Sequence, residues 1–490
     1  LEPLGQSGQD GASSRAERLE QLRRQLHETG PERLMLLYEA LLLGMTLEEA
    51  HSLTSIDPWF LLEMQKIVAD EDRIRNEIAP LAADALASPD TIGLSGNSAA
   101  SGPETSELAK AFRRVKAQGF SDARIAALLG QALPDQRPDE KQVRRLRLAL
   151  GVRPFYRSVD TCSGEFAALT PYFYSTFDAS QHDPAHSGQM RRAAGAETAS
   201  PVSGKPLPGK VMILGGGPNR IGQGVEFDYC CVQAAFTLRE LGITSIMVNS
   251  NPETVSTDYD TADRLYFEPV TVEDVLAICE IEQPDGVIVQ FGGQTPLNIS
   301  KALEKSGVPI LGTKPSGIAL AEDREFFSRL VADLSIAQPP SGMAGNEESA
   351  CRIAKEIGYP VMVRPSFVLG GRAMRIIHNE KDLRDYVSGR ESGFVLDPSS
   401  PILVDKYLED AVEVDVDAVV DGQNVTIAAI MEHIEQAGIH SGDSCCSIPA
   451  HTLDQASLDR IRKHTRQLGL ALNTVGLLNV QYAIRAGEVY

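Results

Sequence analysis

The stretch KVMILGGGPNRIGQGVEFDY, Lys210 to Tyr229, is an apolar run that feeds a glycine turn and then a helical pattern. Gly215, Gly216, Gly217, Gly222 and Gly224 let the backbone approach a ligand closely, and the amides of a following helix point at negative charge. A phosphate-bearing guest suits such a turn; a tight strand-to-helix junction with no ligand is the competing reading. Arg220 stands where G-x-G-x-x-G would need glycine, and Gln223-Gly224 stands where a P-loop would carry Lys-Ser/Thr, so neither common nucleotide fingerprint is present.

A second glycine cluster follows an apolar strand that ends in Arg364, in YPVMVRPSFVLGGRA. A guanidinium beside a Ser/Gly loop carrying Gly370 and Gly371 is suited to folding over a polyphosphate; a solvated hairpin tip is the alternative. Ile402 to Leu408 is an apolar strand that turns polar at Lys406, and Glu413 follows. An apolar wall, backbone groups and a carboxylate are what a nucleoside pocket needs, although an acidic side chain on an open sheet face can equally be solvated. In MEHIEQAGIHSGDS, alternation puts His433 and Glu435 on one face while His440 lies beyond a glycine, which favours substrate contacts over a metal site. Gln481 reads as an inward polar residue on an apolar strand, able to offer Mg²⁺ its amide oxygen or simply to face water.

The elements that must hold these residues change character along the chain. From Ala16 the pattern is helical, with LMLLYEALLLGMTLEEAHSLTSIDPWFLLEMQKIVADE giving three helices parted by Gly44 and by Asp57-Pro58. Thr46 with Glu49 is a capping-box candidate. Leu108 to Leu150 is a second helical block, with Ser121 or Asp122 as N-cap and Gly130 and Gly151 as stops. Ser88 to Glu107 and His182 to Gly209 have linker composition. Thereafter strand-like runs at Val211–Leu214, Ser245–Val248, Val287–Gln290 and Pro309–Leu311 alternate with helical runs at Val225–Leu241, Val272–Ile281 and Leu297–Ser306, the signature of a parallel sheet. The turn after Gly215, Asn249 to Thr254 and Gln290 to Thr295 then fall at strand carboxyl ends, where ligands of such sheets lie. From Pro360 the strands lengthen and read as antiparallel: Val412 to Val420 alternates, with Glu413, Asp415 and Asp417 on one face. Val425–Ile434 and Leu477–Ile484, with a turn at Arg485-Ala486-Gly487, complete an α+β lobe.

With 490 residues, 67 acidic against 46 basic side chains and a net charge of −21, the chain has room for about three domains and is a poor partner for nucleic acid or anionic membrane. Seven cysteines, two pairs of them adjacent in sequence, suit neither a disulfide framework nor C-x-x-C metal spacing and are expected to be reduced cytosolic thiols. The apolar run Leu34 to Met45 is too short to span a bilayer, and the polar N-terminus does not read as a secretory leader.

With these motifs in place the chain resembles the carbamoyl phosphate synthetase large-subunit family. GGGPNRIGQGVEFDY, VNSNPETVSTDYDTADRLYFEP, QFGGQTP, GYPVMVRPSFVLGGRAM, VEVDVDAV and EHIEQAGIHSGDS resemble its second, carbamoyl phosphate-forming ATP-grasp unit. SLTSIDPWFL, GFSDARIAALLG and VDTCSGEFAALTPYFYST resemble its helical oligomerization domain. The resemblance implies a multidomain protein: a flexible segment 1–15, an all-α oligomerization domain 16–181, a linker 182–209, an α/β pre-ATP-grasp domain with a Rossmann-like parallel sheet 210–323, and an α+β ATP-grasp domain 324–490. The family's next motif, E-x-N-P-R, would follow Tyr490, so the chain is expected to be an internal fragment with an incomplete ATP-grasp, inactive alone.

The family makes carbamoyl phosphate from bicarbonate, glutamine-derived ammonia and ATP for pyrimidine and arginine biosynthesis, and this portion would phosphorylate carbamate. The resemblance makes Arg364, His440, Asn219 and Arg220 the catalytic candidates. Arg324 and Arg364 would contact phosphates, Gly370 and Gly371 cover them, Lys406 and Leu408 meet the adenine edge, and Glu413 hold ribose. Gly438, Ile439, His440 and Ser441 would face the nucleotide, and Gln481 would bind metal. The implied cofactors are ATP and Mg²⁺ or Mn²⁺, with K⁺ as a further cation. A small glutaminase subunit and self-association through the helical domain are the implied partners, with no nucleic acid or membrane, in the cytoplasm. Another ATP-grasp ligase, such as a biotin carboxylase-type enzyme, or an inactive oligomerization and nucleotide-lobe fragment are the alternatives.

Overall fold

The computed structural model describes residues 10–87, 106–163, 165–166, 170–177, 209–218, 226–365, 374–388, 401–435 and 444–490. Asn219, Arg220, Gly370, Gly371, Gly438, Ile439, His440 and Ser441, with most of both linkers and of the N-terminal segment, lie outside them. The described residues form two compact units, one reaching Arg157 and including residues 175–177, the other made of residues 158–174 and those from 209 onward.

Helix ends in the first unit are set by side chains that accept the amides a helix start leaves unpaired. Its helices are α1 (Asp10–His27), α2 (Arg33–Leu42), α3 (Leu47–Thr54), α4 (Pro58–Arg73), α5 (Ala79–Ala87), α6 (Glu107–Ala117), α7 (Asp122–Ala132) and α8 (Glu140–Ala149), followed by the short strand β1 (Phe155–Ser158). Thr46 caps α3 by accepting from the Glu49 amide, but Glu49 pairs with Arg23 at 2.5 Å rather than closing a capping box. Asp57 caps α4, with Pro58 in the first turn, and Ser121 caps α7. Gly151 follows α8 at φ +71°, the left-handed geometry that glycine adopts without strain. Gly130, expected to stop α7, lies inside it; the helix ends at Ala132 because Pro134 drives Leu133 out of helical geometry.

Leu22, Leu37, Ala50 and Leu61 belong to one apolar cluster of this unit, and Ile78, Phe112, Ile125 and Leu146 to another. Polar side chains tie the helices together. The Tyr38 hydroxyl donates to Glu71 at 2.7 Å while Arg124 donates to both, which joins α2, α4 and α7. Arg147 and Asp122 are fully buried and form a forked pair at 2.7–3.1 Å, with Arg147 also donating to the Val152 carbonyl.

In the second unit, strands β2 (Tyr172–Thr176), β3 (Lys210–Leu214), β4 (Thr244–Val248), β5 (Arg264–Tyr266), β6 (Gly286–Ile288) and β7 (Ile310–Leu311) pair in parallel in the order β2-β5-β4-β3-β6-β7. Four helices, α9 (Glu226–Glu240), α10 (Val272–Glu282), α11 (Gln294–Lys305) and α12 (Pro315–Glu322), link or flank these strands. β3 and β4, buried beyond their first residues, are the sheet's centre, as strands covered on both faces must be. Glu282, wholly buried, accepts from Tyr266 at 2.5 Å and pairs with Lys210 and Arg264, which ties α10 to β3 and β5.

After α13 (Arg324–Asp333) the pairing becomes antiparallel. Strands β8 (Ser341–Ala344), β9 (Val361–Pro365), β10 (Arg375–Ile377) and β11 (Ile402–Lys406) form a sheet ordered β10-β9-β11-β8, with α14 (Glu347–Ile357) and α15 (Glu380–Val387) packed on Val361, Val363, Ile402 and Val404. A second sheet, ordered β14-β13-β12-β15-β16, holds β12 (Val412–Asp421), β13 (Val425–His433), β14 (Cys446–Ser447), β15 (Val475–Arg485) and β16 (Glu488–Val489). Ile461 of α16 (Gln455–Ala471) clusters with Val414, Val416, Tyr482 and Ile484. The chain is therefore a multidomain α/β protein with mixed sheets.

Candidate active site

The three loops expected at strand carboxyl ends do meet. Asn249, buried just past β4, accepts the Gly217 amide at 3.0 Å and donates to Ser256 at 3.2 Å, so one amide side chain pins the first glycine turn to the second loop. A Cβ on Gly215 would sit on the Asn249 side chain, and one on Gly292 would strike the main chain of Leu214 and Gly215. Glycine is required at both positions for the loops to close on one another. Gln290 holds the far side by donating to the carbonyls of Leu311 and Thr313. Asn249 was not singled out in the sequence; its signal was its place directly after a strand facing a glycine turn.

On the β9–β11 pair, residues directly opposite one another share a face. Val361, Val363, Ile402 and Val404 point into the core, which leaves Met362, Arg364, Leu403 and Asp405 on the other side. There Arg364 Nη2 lies 2.7 Å from Asp405 Oδ2, while its Nε is buried without a hydrogen-bond partner. The carboxylate orients the guanidinium and leaves it donor capacity for another group. Lys406 is directed elsewhere: its ammonium donates to the carbonyls of Gly358 and Tyr359 and its amide to Pro340. Leu408 is half-buried in the connection to β12. Arg324 is the first residue of α13, whose N-cap is Asp323.

The alternation of β12 sets up the third group. Asp415 stands opposite Met431 of β13 and Gln481 of β15, with Glu413 and Asp417 on the same face by period two. His433, nearly buried, joins them: its Nε2 lies 2.9 Å from Asp415 Oδ2 and its Nδ1 3.6 Å from Glu413 Oε2. Asp415 Oδ1 is buried without a partner. Gln481 is exposed rather than inward, because its neighbours Val480 and Tyr482 take the covered face and Gln481 falls beside the carboxylates. Asp405 and Asp415 were missed as site residues, although alternation from Arg364's partner strand and from Glu413 already placed them.

The adjoining groups are structural. Glu432, on the opposite face from His433, is pushed up by burial, but donors from the Thr452 hydroxyl and the Thr452 and His451 amides outweigh this and hold its carboxyl below the usual range. Burial lifts the Tyr482 phenol to about 12 despite its 2.9 Å contact with Thr465. All seven cysteines are free, and burial raises the Cys279 thiol to about 12 and Cys231 further, so neither is a nucleophile at neutral pH. Among the described residues no three His, Cys, Asp or Glu side chains are placed to hold a metal ion, and no helix is long and apolar enough to cross a membrane. The arrangement offers an oriented guanidinium, a carboxylate-rich sheet face and a glycine-lined loop cluster, the parts required to hold a polyanion and hydroxyl groups.

Comparison with known proteins adds three family matches in succession. Residues 3–109 match the carbamoyl-phosphate synthetase large chain, oligomerisation domain; residues 208–320 the carbamoyl phosphate synthase preATP-grasp domain; and residues 323–490 the carbamoyl-phosphate synthase L chain, ATP binding domain. The carbamoyl phosphate synthase large chain of Rhodopirellula baltica is 49% identical over 466 residues, 95% of this chain and 38% of its own length. That of Archaeoglobus fulgidus is 46% identical over 472 residues, 96% of this chain and 39% of its own. The chain thus spans well under half the length of these relatives. Among solved structures, the biotin carboxylase domain of a Hydrogenobacter thermophilus 2-oxoglutarate carboxylase, in complex with MgADP, ADP and bicarbonate, superposes with a TM-score of 0.46 at 18% identity, covering 58% of this chain and 63% of that one.

Proposed function

We propose, from the premise that this chain belongs to the carbamoyl phosphate synthase large-chain family, that its second unit binds MgATP and phosphorylates carbamate in the course of carbamoyl phosphate synthesis. The observation that carries this reading is Arg364: a guanidinium held by Asp405, with a buried unpartnered Nε, on a strand of the region matching the ATP binding domain. Phosphoryl transfer asks for positioned cations and donors more than for covalent partners. Arg364 would bind and orient the polyphosphate as the carbamate oxygen attacks the γ-phosphorus and ADP leaves. Glu413, on the face shared with Asp415 and His433, would hold the ribose hydroxyls. The Lys406 side chain being engaged with main-chain carbonyls, the adenine edge would meet the backbone of residues 406–408.

Asp415 Oδ1, buried without a partner, stands opposite Gln481, so although among the described residues no protein cluster holds a metal by itself, Gln481 would offer one amide oxygen to a small divalent cation beside that carboxylate, with nucleotide phosphates supplying the remainder. Bound Mg²⁺ would neutralise charge on the transferring phosphoryl group; Mn²⁺ would substitute and K⁺ would serve as a further cation. Arg324, Gly370, Gly371, Gly438, Ile439, His440 and Ser441 would complete the nucleotide contacts, and Asn219 and Arg220 would line the carbamate side. The domain order 16–181, 210–323 and 324–490, association through the all-α domain, a glutaminase partner and a cytoplasmic setting belong to the same reading.

The test is ATP formation from carbamoyl phosphate and ADP, the reverse of the proposed step, with the chain alone and with the chain extended by a relative's E-x-N-P-R segment. Mg²⁺-dependent ATP from either form supports the ligase reading. A chain that takes up no nucleotide in either form, by calorimetric titration, leaves only the scaffold alternative.

A further inference from the structure

We propose that the open edge of β13 takes up an acidic, extended segment of a separate polypeptide as an added strand. On that edge β14 pairs with Glu432 and His433 alone; the chain leaves it after Ser447, and Pro449, with no amide to donate, keeps it from pairing further. Residues 425–431 have β12 on one side and, among the described residues, no strand on the other. An exposed strand edge is ordinarily blunted by charge or proline, and VTIAAIM carries neither. The row of main-chain donors and acceptors left there is a template for another strand, in line with β14.

The side chains around the edge select the occupant. A groove runs between residues 425–430 and Leu458, Arg462 and Arg466 of α16, with Ile448 and Pro449 beside it. Helix α16 carries Arg460, Arg462, Lys463 and Arg466 against the single carboxylate of Asp459, a basic wall in a chain of net charge −21. Arg462 shares its charge with Asp459 at 2.8 Å, while Arg466 is exposed and forms no ion pair among the described residues. One helical turn, about 6 Å, separates these two arginines, close to the roughly 6.8 Å between alternate side chains of a strand. Carboxylates at alternate positions of an added strand therefore match the spacing of Arg462 and Arg466. A second copy fits less well, because two chains at −21 repel over most of their surfaces, whereas a separate chain can confine its negative charge to the docking segment.

The test titrates the full 490-residue chain into a dye-labelled, end-capped octapeptide alternating Glu and Val, followed by fluorescence anisotropy at low and high salt. The expected result is saturable binding that weakens with salt, and a dissociation constant raised at least about tenfold by Arg466→Glu with unchanged circular dichroism. Two further peptides, N-methylated on one or the other set of alternate amides, examine the backbone. A strand paired along one edge loses binding when one set is methylated and keeps it when the other is, since successive amides point to opposite sides. Should Arg466→Glu alter the spectrum, these two peptides decide by themselves. Equal binding by both shows attraction of charge without strand pairing and overturns the proposal, as does a Lys-Val octapeptide bound as tightly or an acidic peptide that never saturates. Self-association of the chain that Arg466→Glu abolishes gives the edge to a second copy and overturns it as well.

Discussion

As the proposed phosphate ligand, Arg364 would act through shape as much as charge. Its fork is split between Asp405 and an open direction, so a lysine at this position would keep the charge and lose the second donor. Arg364→Lys is expected to weaken MgATP binding by about tenfold or more, or about 1.4 kcal/mol, in calorimetric titration; unchanged affinity would remove Arg364 from the phosphate site. Glu432 makes a prediction of opposite kind, about folding. Its carboxyl is held below the ordinary 4.5, so its stabilising contribution is complete above that value and disappears as pH falls through the lower, folded one. Glu432→Gln is therefore expected to flatten the acid limb of the second unit's melting temperature below pH 4.5 while lowering stability at neutral pH. An acid limb identical to wild type would show that its donors do not favour the charged form. The strand positions of Arg364 and Glu413 were legible in the sequence because a charged residue on an apolar strand stands out, and each lies beside another ionisable side chain, Asp405 and His433. Lys406 shows the limit: a lysine looks the same in sequence whether it meets a ligand or, as here, two main-chain carbonyls far off in sequence.

At the scale of elements, the buried Asp122–Arg147 pair and the Gly215–Gly292 approach set the two most sensitive joints. Removing one charge strands the other inside the helical unit, at a cost of about 3–5 kcal/mol, whereas an apolar replacement of both can be nearly neutral. In urea titrations Asp122→Asn is expected to lose most of that amount, and Asp122→Leu with Arg147→Met to recover only part of it, since the buried Lys116 ammonium loses the carboxylate 3.6 Å away and keeps the Phe120 carbonyl. A double variant as unstable as the single one would mean that the pair stabilises by more than avoiding an orphaned charge. Gly292→Ala, which drives a Cβ into main chain that cannot swing aside, is expected to cost about 1–3 kcal/mol in the second unit. Helix caps at Thr46 and Ser121, the break at Asp57-Pro58 and the period-two face of β12 could be read beforehand because they are local rules. Gly130 misled because glycine marks a stop only when the chain beyond it departs, and here the departure waited for Pro134. Strand β5 is three residues long with one charged, too short for a periodic signal; its position between β4 and β2 creates it.

For the whole molecule, separate apolar clusters in the two units imply that heat reports on them individually. A ligand stabilises only the body that binds it, by RT ln(1 + [L]/Kd), or about 2.7 kcal/mol at a hundred times Kd. If nucleotide binds the second unit as proposed, MgATP is expected to raise one calorimetric transition and leave the other where it was. The transition that moves can be assigned with the joints already defined: Asp122→Asn should lower the stationary one, and Gly292→Ala the mobile one. Movement of the Asp122-sensitive transition would place the nucleotide on the helical unit and contradict the site built around Arg364. Movement of neither, with binding shown by titration, would mean that nucleotide binds the unfolded chain as well as the folded one, and would contradict the proposed site, which needs β9, β11, β12 and β15 assembled.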